Sequence, residues 1–227
     1  MLEVHQLCKS YGKKEIFQQL SFSVRPGEII GLVGENGAGK STLLNILATL
    51  DQQTSGTITL NGYSYMKYKK QIRKQIGFVP QEIAVWEQFT VEENMIFFEK
   101  LSWKNKSRRE LRRLCEEMKL DRWEDQVNTL SGGMKRKLNL AISLIHDPKV
   151  LLLDEPTVGI DLKSRKEIGS YLRHQALHEE MSIIYTSHDM DEIIQLCDRV
   201  ICIGEDLFYK NLLMEAGKEV IAFHNDA

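Results

Sequence analysis

Apolar residues along this chain follow two periods, and the switches between them predict most of its elements. Leu2–Cys8 and Ile16–Val24 carry apolar and polar positions in near alternation, as half-buried strands do, with a turn at Tyr11-Gly12 between them. Arg25-Pro26-Gly27 ends that pattern. Glu28–Val33 is a short apolar run of the kind found in strands covered on both faces. A glycine-rich loop, Gly34 to Gly39, comes next. From Lys40 the period becomes helical, with Leu43, Leu44, Ile46 and Leu47 on one face. Thr57–Leu60, closed by a turn at Asn61-Gly62, and Ile76–Val79 read as further strands.

Past Gln81 the pattern changes. Residues 90–125 are rich in Glu, Lys and Arg, with Leu111, Leu114, Cys115 and Met118 at helical spacing, which predicts a mainly helical insertion with a solvated charged face. Lys135–Ile145 reads as a helical run. Strand character returns at Val150–Leu153, Ser182–Thr186 and Arg199–Ile203, with a helix from about Leu162 to His178. Strands alternating with helices predict a mostly parallel sheet covered on both faces. The tail from Asn211 to Ala227 carries no readable pattern.

Composition narrows the class. The 227 residues are 42% hydrophobic and 27% charged, with 15 Gly and 4 Pro, an ordinary globular balance that excludes collagen-like and disordered classes. The net charge of -2 offers no basic excess for nucleic acid and no acidic tail. Uncharged stretches fall short of the ~20 apolar residues of a membrane helix, and Met1–Lys9 has no apolar run of leader length. The chain therefore reads as cytoplasmic, with any membrane role exercised through a partner. Cys8, Cys115, Cys197 and Cys202 are scattered and read as reduced thiols; none has zinc-site spacing.

Three segments carry chemistry. Gly34-Glu35-Asn36-Gly37-Ala38-Gly39-Lys40-Ser41 fits the P-loop pattern. Its glycines let backbone N–H groups curl around phosphate oxygens, and the following helix points its positive end at them. Lys40 supplies a point charge, and the Ser41 hydroxyl is a ligand for Mg²⁺. Val150-Leu151-Leu152-Leu153-Asp154-Glu155 is an apolar strand ending in two acids, at the strand end where such sheets bind ligands. Asp154 suits the Mg²⁺ shell and Glu155 suits polarising a water. In Leu130-Ser131-Gly132-Gly133-Met134, Ser131 reads as a helix N-cap. Capping alone does not explain two glycines, which weaken a helix start but leave it open to an anion.

With these three segments in this order, the chain resembles the nucleotide-binding domain of ABC transporters over roughly residues 2–210. The resemblance implies an α/β fold: a P-loop NTPase (RecA-like) core with an antiparallel β subdomain and an inserted α-helical subdomain. It implies one such domain over 1–227, with the core at about 1–84 and 148–210, the helical subdomain at about 85–147 and a short tail at 211–227. ATP and Mg²⁺ are the implied cofactors. ATP would be held by Gly34, Glu35, Asn36, Gly37, Ala38, Gly39, Lys40, Ser41, Thr42 and Gln81, with Tyr11 stacking on adenine. Mg²⁺ would be held by Ser41, Gln81 and Asp154. Glu155 and His188, in Thr186-Ser187-His188-Asp189, would be catalytic. Ser131, Gly132 and Gly133 would bind ATP in trans, across a head-to-tail dimer. Asp161 matches the D-loop, where Val158-Gly159 replaces the commoner Ser-Ala.

The resemblance further implies a homodimer or heterodimer of ATP-binding domains and a separate transmembrane permease. The chain would then sit peripherally on the inner face of the cell membrane. Trp86, Phe89, Phe97 and Phe98 fit either a docking groove for that permease or a simple hydrophobic core. The runs around Ser131–Arg136 and Pro156–Arg165 look like ATPases of ABC-2-type exporters of drugs and antimicrobial peptides. A soluble ABC-type ATPase acting on ribosomes or nucleic acid is the alternative; the single cassette and short insertion weigh against it.

Overall fold

The structure, a computed structural model, describes residues 1–204 and 207–223. Two sheets form its frame. The antiparallel sheet has the order β2-β1-β4-β5. Its strands are β1 (Leu2–Tyr11), β2 (Lys14–Val24), β4 (Ser55–Leu60) and β5 (Tyr63–Ser64). The other sheet is parallel and six-stranded, in the order β10-β9-β3-β8-β7-β6. These strands are β3 (Ile29–Val33), β6 (Ile76–Val79), β7 (Val150–Leu153), β8 (Ser182–Thr186), β9 (Arg199–Ile203) and β10 (Glu219–Phe223).

Strands β3, β7, β8 and β9 are buried at every position, because both faces of the parallel sheet are covered. Period-2 geometry divides their side chains between two cores. Leu152, Ile184 and Ile201 point to the core shared with the antiparallel sheet and with α1 (Lys40–Leu47). Leu151, Leu153, Ile183 and Tyr185 point to the opposite core. That second core is closed by α5 (Gly132–Ser143), α6 (Leu162–Glu179) and α7 (Met190–Leu196).

A third core lies within the insertion, built on α3 (Val91–Leu101) and α4 (Arg108–Glu117) with Trp123 and Val127. Both helices begin with a capping box, Thr90 with Glu93 and Ser107 with Glu110, which satisfies orphan N–H groups at each start. Helix α5 belongs to two cores. Leu138 and Ala141 face the insertion and Leu140 faces the sheet.

The structure departs from the sequence reading at several places. The first hairpin turns at Gly12-Lys13, so Tyr11 ends β1 and does not sit in the turn. Helix α5 starts at Gly132, three residues before the apolar period begins, because Ser131 and not the hydrophobic pattern sets its start. The tail, which carried no readable pattern, contributes to α8 (Leu207–Glu215) and supplies β10, which pairs in parallel with β9 from Glu219↔Arg199 to Phe223↔Ile203. The short α2 (Lys69–Arg73) was also unforeseen. All four cysteines are free thiols, and burial pushes Cys115 and Cys197 up to about 12. Among the described residues no helix is long and apolar enough to cross a membrane.

Candidate functional site

Every strand of the parallel sheet ends at the same edge, so sheet order decides which loops meet. Neighbouring strands β3, β8, β7 and β6 open respectively into Gly34–Gly39, Ser187-His188, Asp154-Glu155 and Pro80-Gln81. Segments far apart in sequence thereby become neighbours at one edge.

The glycine loop has the conformation its residues allow. Gly34, Gly37 and Gly39 have φ of 149, 86 and 102°, a region that favours glycine. A Cβ on Gly34 would fall 2.1 Å from the Ile203 carbonyl oxygen, so no other residue fits there. Lys40 is 8% exposed, and its Nζ donates to the carbonyl oxygens of Gly34 at 2.7 Å and Glu35 at 2.9 Å. Burial holds its ammonium below the usual lysine range, and the negative charges of Glu155 and then Asp154 oppose that shift. Helix α1 begins behind the loop with no side-chain cap and no acidic residue in its first turn. A glycine cradle, a buried cation and an uncapped helix start fit a polyphosphate.

Glu155 is the centre of the second group. Its Oε2 accepts from Gln81 Nε2 at 2.8 Å, and its Oε1 lies 2.6 Å from His188 Nε2. The structure thus joins three residues separated by up to 107 positions in the chain. Thr186, fully buried, sets the two acids beside each other. Its Oγ1 donates to Asp154 Oδ1 at 3.0 Å and accepts from the Glu155 N–H at 2.8 Å. Exposed Ser41 and Gln81, with buried Asp154, offer hard oxygen donors that fit Mg²⁺. Among the described residues no group of three or more His, Cys, Asp or Glu is placed to hold a metal. Mg²⁺ is commonly bound through one or two carboxylates plus substrate phosphates rather than by an all-protein cage.

Ser131 caps α5, its side chain accepting from the Met134 N–H at 3.3 Å. A Cβ on Gly133 would fall 2.2 Å from Ser164 Oγ and 3.0 Å from Asp161 Oδ2. Gly132 and Gly133 therefore lie on the Asp161 loop, where Asp161 caps α6 by accepting from the Ser164 N–H at 2.9 Å. Among the described residues, no hydrogen bond or ion pair joins Ser131–Gly133 to Gly34–Thr42 of the same chain. Tyr11 is exposed at the end of β1, with its contacts running to Lys9 and Asp51. Its hairpin leans on the glycine loop: a Cβ on Gly39 would fall 2.7 Å from Ile16 Cγ2 and 3.0 Å from Phe17 Cδ1.

Three residues at the site escaped the sequence reading. Thr186 is one, and its signal was a polar side chain ending an apolar strand. Arg136, 4% exposed, ties α5 to the Gln81 loop by donating to Pro80 O at 3.0 Å and Gln81 O at 2.7 Å. Glu192 Oε2 accepts from Thr157 Oγ1 at 2.8 Å, Tyr185 OH at 2.9 Å and Ser187 Oγ at 2.8 Å. It links the loop after Glu155 to the His188 turn, and nothing local in the sequence marks it.

A parallel sheet opening into a glycine cradle, with paired acids at the end of the next strand but one, defines a P-loop nucleotide-binding domain. The ABC transporter family matches residues 17–158, and the chain belongs to that family as an ATP-binding domain. A second, shorter match, to a family described as an AAA domain, putative AbiEii toxin of a type IV toxin–antitoxin system, covers residues 126–194 and omits the glycine loop. The linearmycin resistance ATP-binding protein LnrL of Bacillus subtilis (strain 168) is 41% identical over 203 residues, 88% of this chain and 65% of that protein. The Nod factor export ATP-binding protein I of Burkholderia orbicola (strain AU 1054) is 42% identical over 207 residues, 90% of this chain and 68% of that protein. The chain thus spans under two thirds of the length of the linearmycin relative. A solved ATP-binding subunit of an ABC transporter superposes with a TM-score of 0.79 at 26% identity, covering 89% of this chain and 85% of that one. An ATP-binding cassette solved as a dimer in a post-hydrolysis state with ADP and Pi gives the same TM-score of 0.79 at 24% identity, over 89% of this chain and 94% of that one, and shares the fold.

Proposed function

We propose that this chain binds and hydrolyses ATP as the motor subunit of an ABC exporter. The observation that carries the reading is Glu155 held by Gln81 and His188 at the edge where Lys40 lies. In this reading the glycine loop, Lys40 and the α1 start bind the phosphates, and Tyr11 stacks on adenine. Ser41, Gln81 and Asp154 would hold Mg²⁺, which when bound would supply neutralisation of phosphate charge. Glu155 orients the attacking water and takes its proton, while His188 and Gln81 hold the carboxylate in place.

One chain supplies half of the phosphate donors. Ser131 and Gly132 are exposed at the start of α5 and uncommitted to the glycine loop of their own chain, which suits them to the γ-phosphate of a partner cassette. That partner is a second copy or a related domain, and closure of the pair excludes water. A separate membrane permease is the receiver of the motion. Trp86, Phe89 and Phe97 support this, being exposed and clustered with ring centroids 6.1 Å apart, whereas Phe98 packs on the helical core. Buried Asn94 holds Trp86 through both backbone groups, at 2.8 and 2.9 Å. Export follows the names of the Nod factor relatives. The chain then works at the cytoplasmic face of the membrane.

Glu155→Gln tests the reading. It should retain ATP binding, lose ~10²–10⁴-fold in turnover and trap an ATP-bound dimer. Purified with ATP from solubilised native membranes, the variant should bring a polytopic membrane protein in near-stoichiometric yield. Half of wild-type turnover would remove Glu155 from its role. Recovery with ribosomes or nucleic acid alone would replace the transporter by a soluble ATPase.

A further inference from the structure

Tyr11 has a support that the adenine-stacking role does not by itself require. Lys9 lies two residues before it on β1, pairs with Phe17 of β2, and is 6% exposed. Its Nζ sits 4.3 Å from the centroid of the Tyr11 ring. The same ammonium bonds Asp51 Oδ1 at 2.8 Å and the Gln52 carbonyl oxygen at 2.7 Å. The Tyr11 hydroxyl donates to the other oxygen of Asp51. The segment bearing Asp51 is itself bolted to β1, with Thr54 N–H on Cys8 O at 2.9 Å and Ser10 N–H on Thr54 Oγ1 at 2.9 Å.

Tyr11 is thus fixed at both ends yet 51% exposed. A buried cation lies over one face of its ring, so the face left for a base is the other one. Phe17, the pairing partner of Lys9, abuts Gly39 of the glycine loop, so the platform and the phosphate cradle share a wall. An ammonium on one face of an aromatic ring draws on its π density. That leaves the far face a better stacking partner for an electron-rich purine. The hydrogen bonds from Lys9 and Tyr11 hold the Asp51 carboxyl down to about 2, because both favour its charged form.

We infer that Lys9 and Asp51 are positioning residues that fix Tyr11 as a one-sided platform for the purine base. They set affinity for the base and leave affinity for the phosphates alone. The inference rests on the proposed stacking role of Tyr11. Pre-ordering a side chain removes part of the entropy cost of binding, so loss of the clamp should weaken ATP about 3–10-fold.

The experiment is calorimetric titration of the full chain with ATP and with inorganic tripolyphosphate, which has no base. Asp51→Asn and Lys9→Met should each weaken ATP by that factor and leave tripolyphosphate unchanged. Equal losses for both ligands would mean a distorted glycine loop and would overturn the inference, as would unchanged ATP affinity. Tyr11→Ala separates the two readings. If it weakens ATP while the clamp variants do not, stacking stands and the clamp falls. If Tyr11→Ala leaves ATP unchanged, the stacking role falls and takes the clamp with it.

Discussion

Glu155 has φ of 47°, a left-handed backbone that costs a non-glycine residue about 1–2 kcal/mol. The strain accompanies a carboxylate turned toward both Gln81 and His188. Glu155→Gly should therefore melt above wild type while losing hydrolysis; a lower melting temperature would show that the side-chain contacts outweigh the strain. Lys40 is spent on two loop carbonyls, and Lys40→Ala should weaken ATP binding and turnover together, read by titration and phosphate release. Asp51 gives a pH signature. Its folded value of about 2 lies below the ordinary 3.8, so its contribution to stability is present above 3.8 and lost as pH falls toward 2. Acid denaturation followed by circular dichroism should be less steep across that window in Asp51→Asn. At this scale the residue types are legible, because a glycine cradle and paired acids have few other uses. The bonds are not: Gln81 meets Glu155 only because β6 and β7 are neighbours, which no local spacing encodes.

Among the elements, α5 shows most directly how capping and function can be separated. An N-cap serine replaced by alanine costs about 1 kcal/mol of stability. The 3.3 Å bond of Ser131 is long, so Ser131→Ala should cost no more than that. A cap alone would leave hydrolysis by the folded variant near wild type; a role against a partner's ATP predicts at least a tenfold loss while the melting temperature falls by no more than a few degrees. Steady-state rates beside a thermal melt decide between these. Strands β3, β7 and β8 are legible because burial on both faces leaves a continuous apolar run. Helix α5 begins earlier than its apolar period, since its first turn is glycine. The tail is illegible because α8 is weakly patterned and β10 is only half-buried, and its pairing with β9 is a tertiary choice.

In the molecule as a whole, α5 makes the insertion and the sheet one mechanical unit. It packs on both cores, and Arg136 carries its position to the Gln81 loop. Contacts therefore run unbroken from the insertion through Arg136 and Gln81 to Glu155. If hydrolysis needs two cassettes, specific activity should rise with protein concentration before levelling off; a flat dependence down to nanomolar protein would argue for a self-sufficient monomer. The last strand bears on survival in a crowded cell. A chain cut after Gly204 keeps every residue assigned above to ATP but strips β10 from β9, a five-residue strand buried along its length. The bared edge is a template for a neighbour's backbone, so such a fragment should still take up nucleotide while scattering light as growing aggregates.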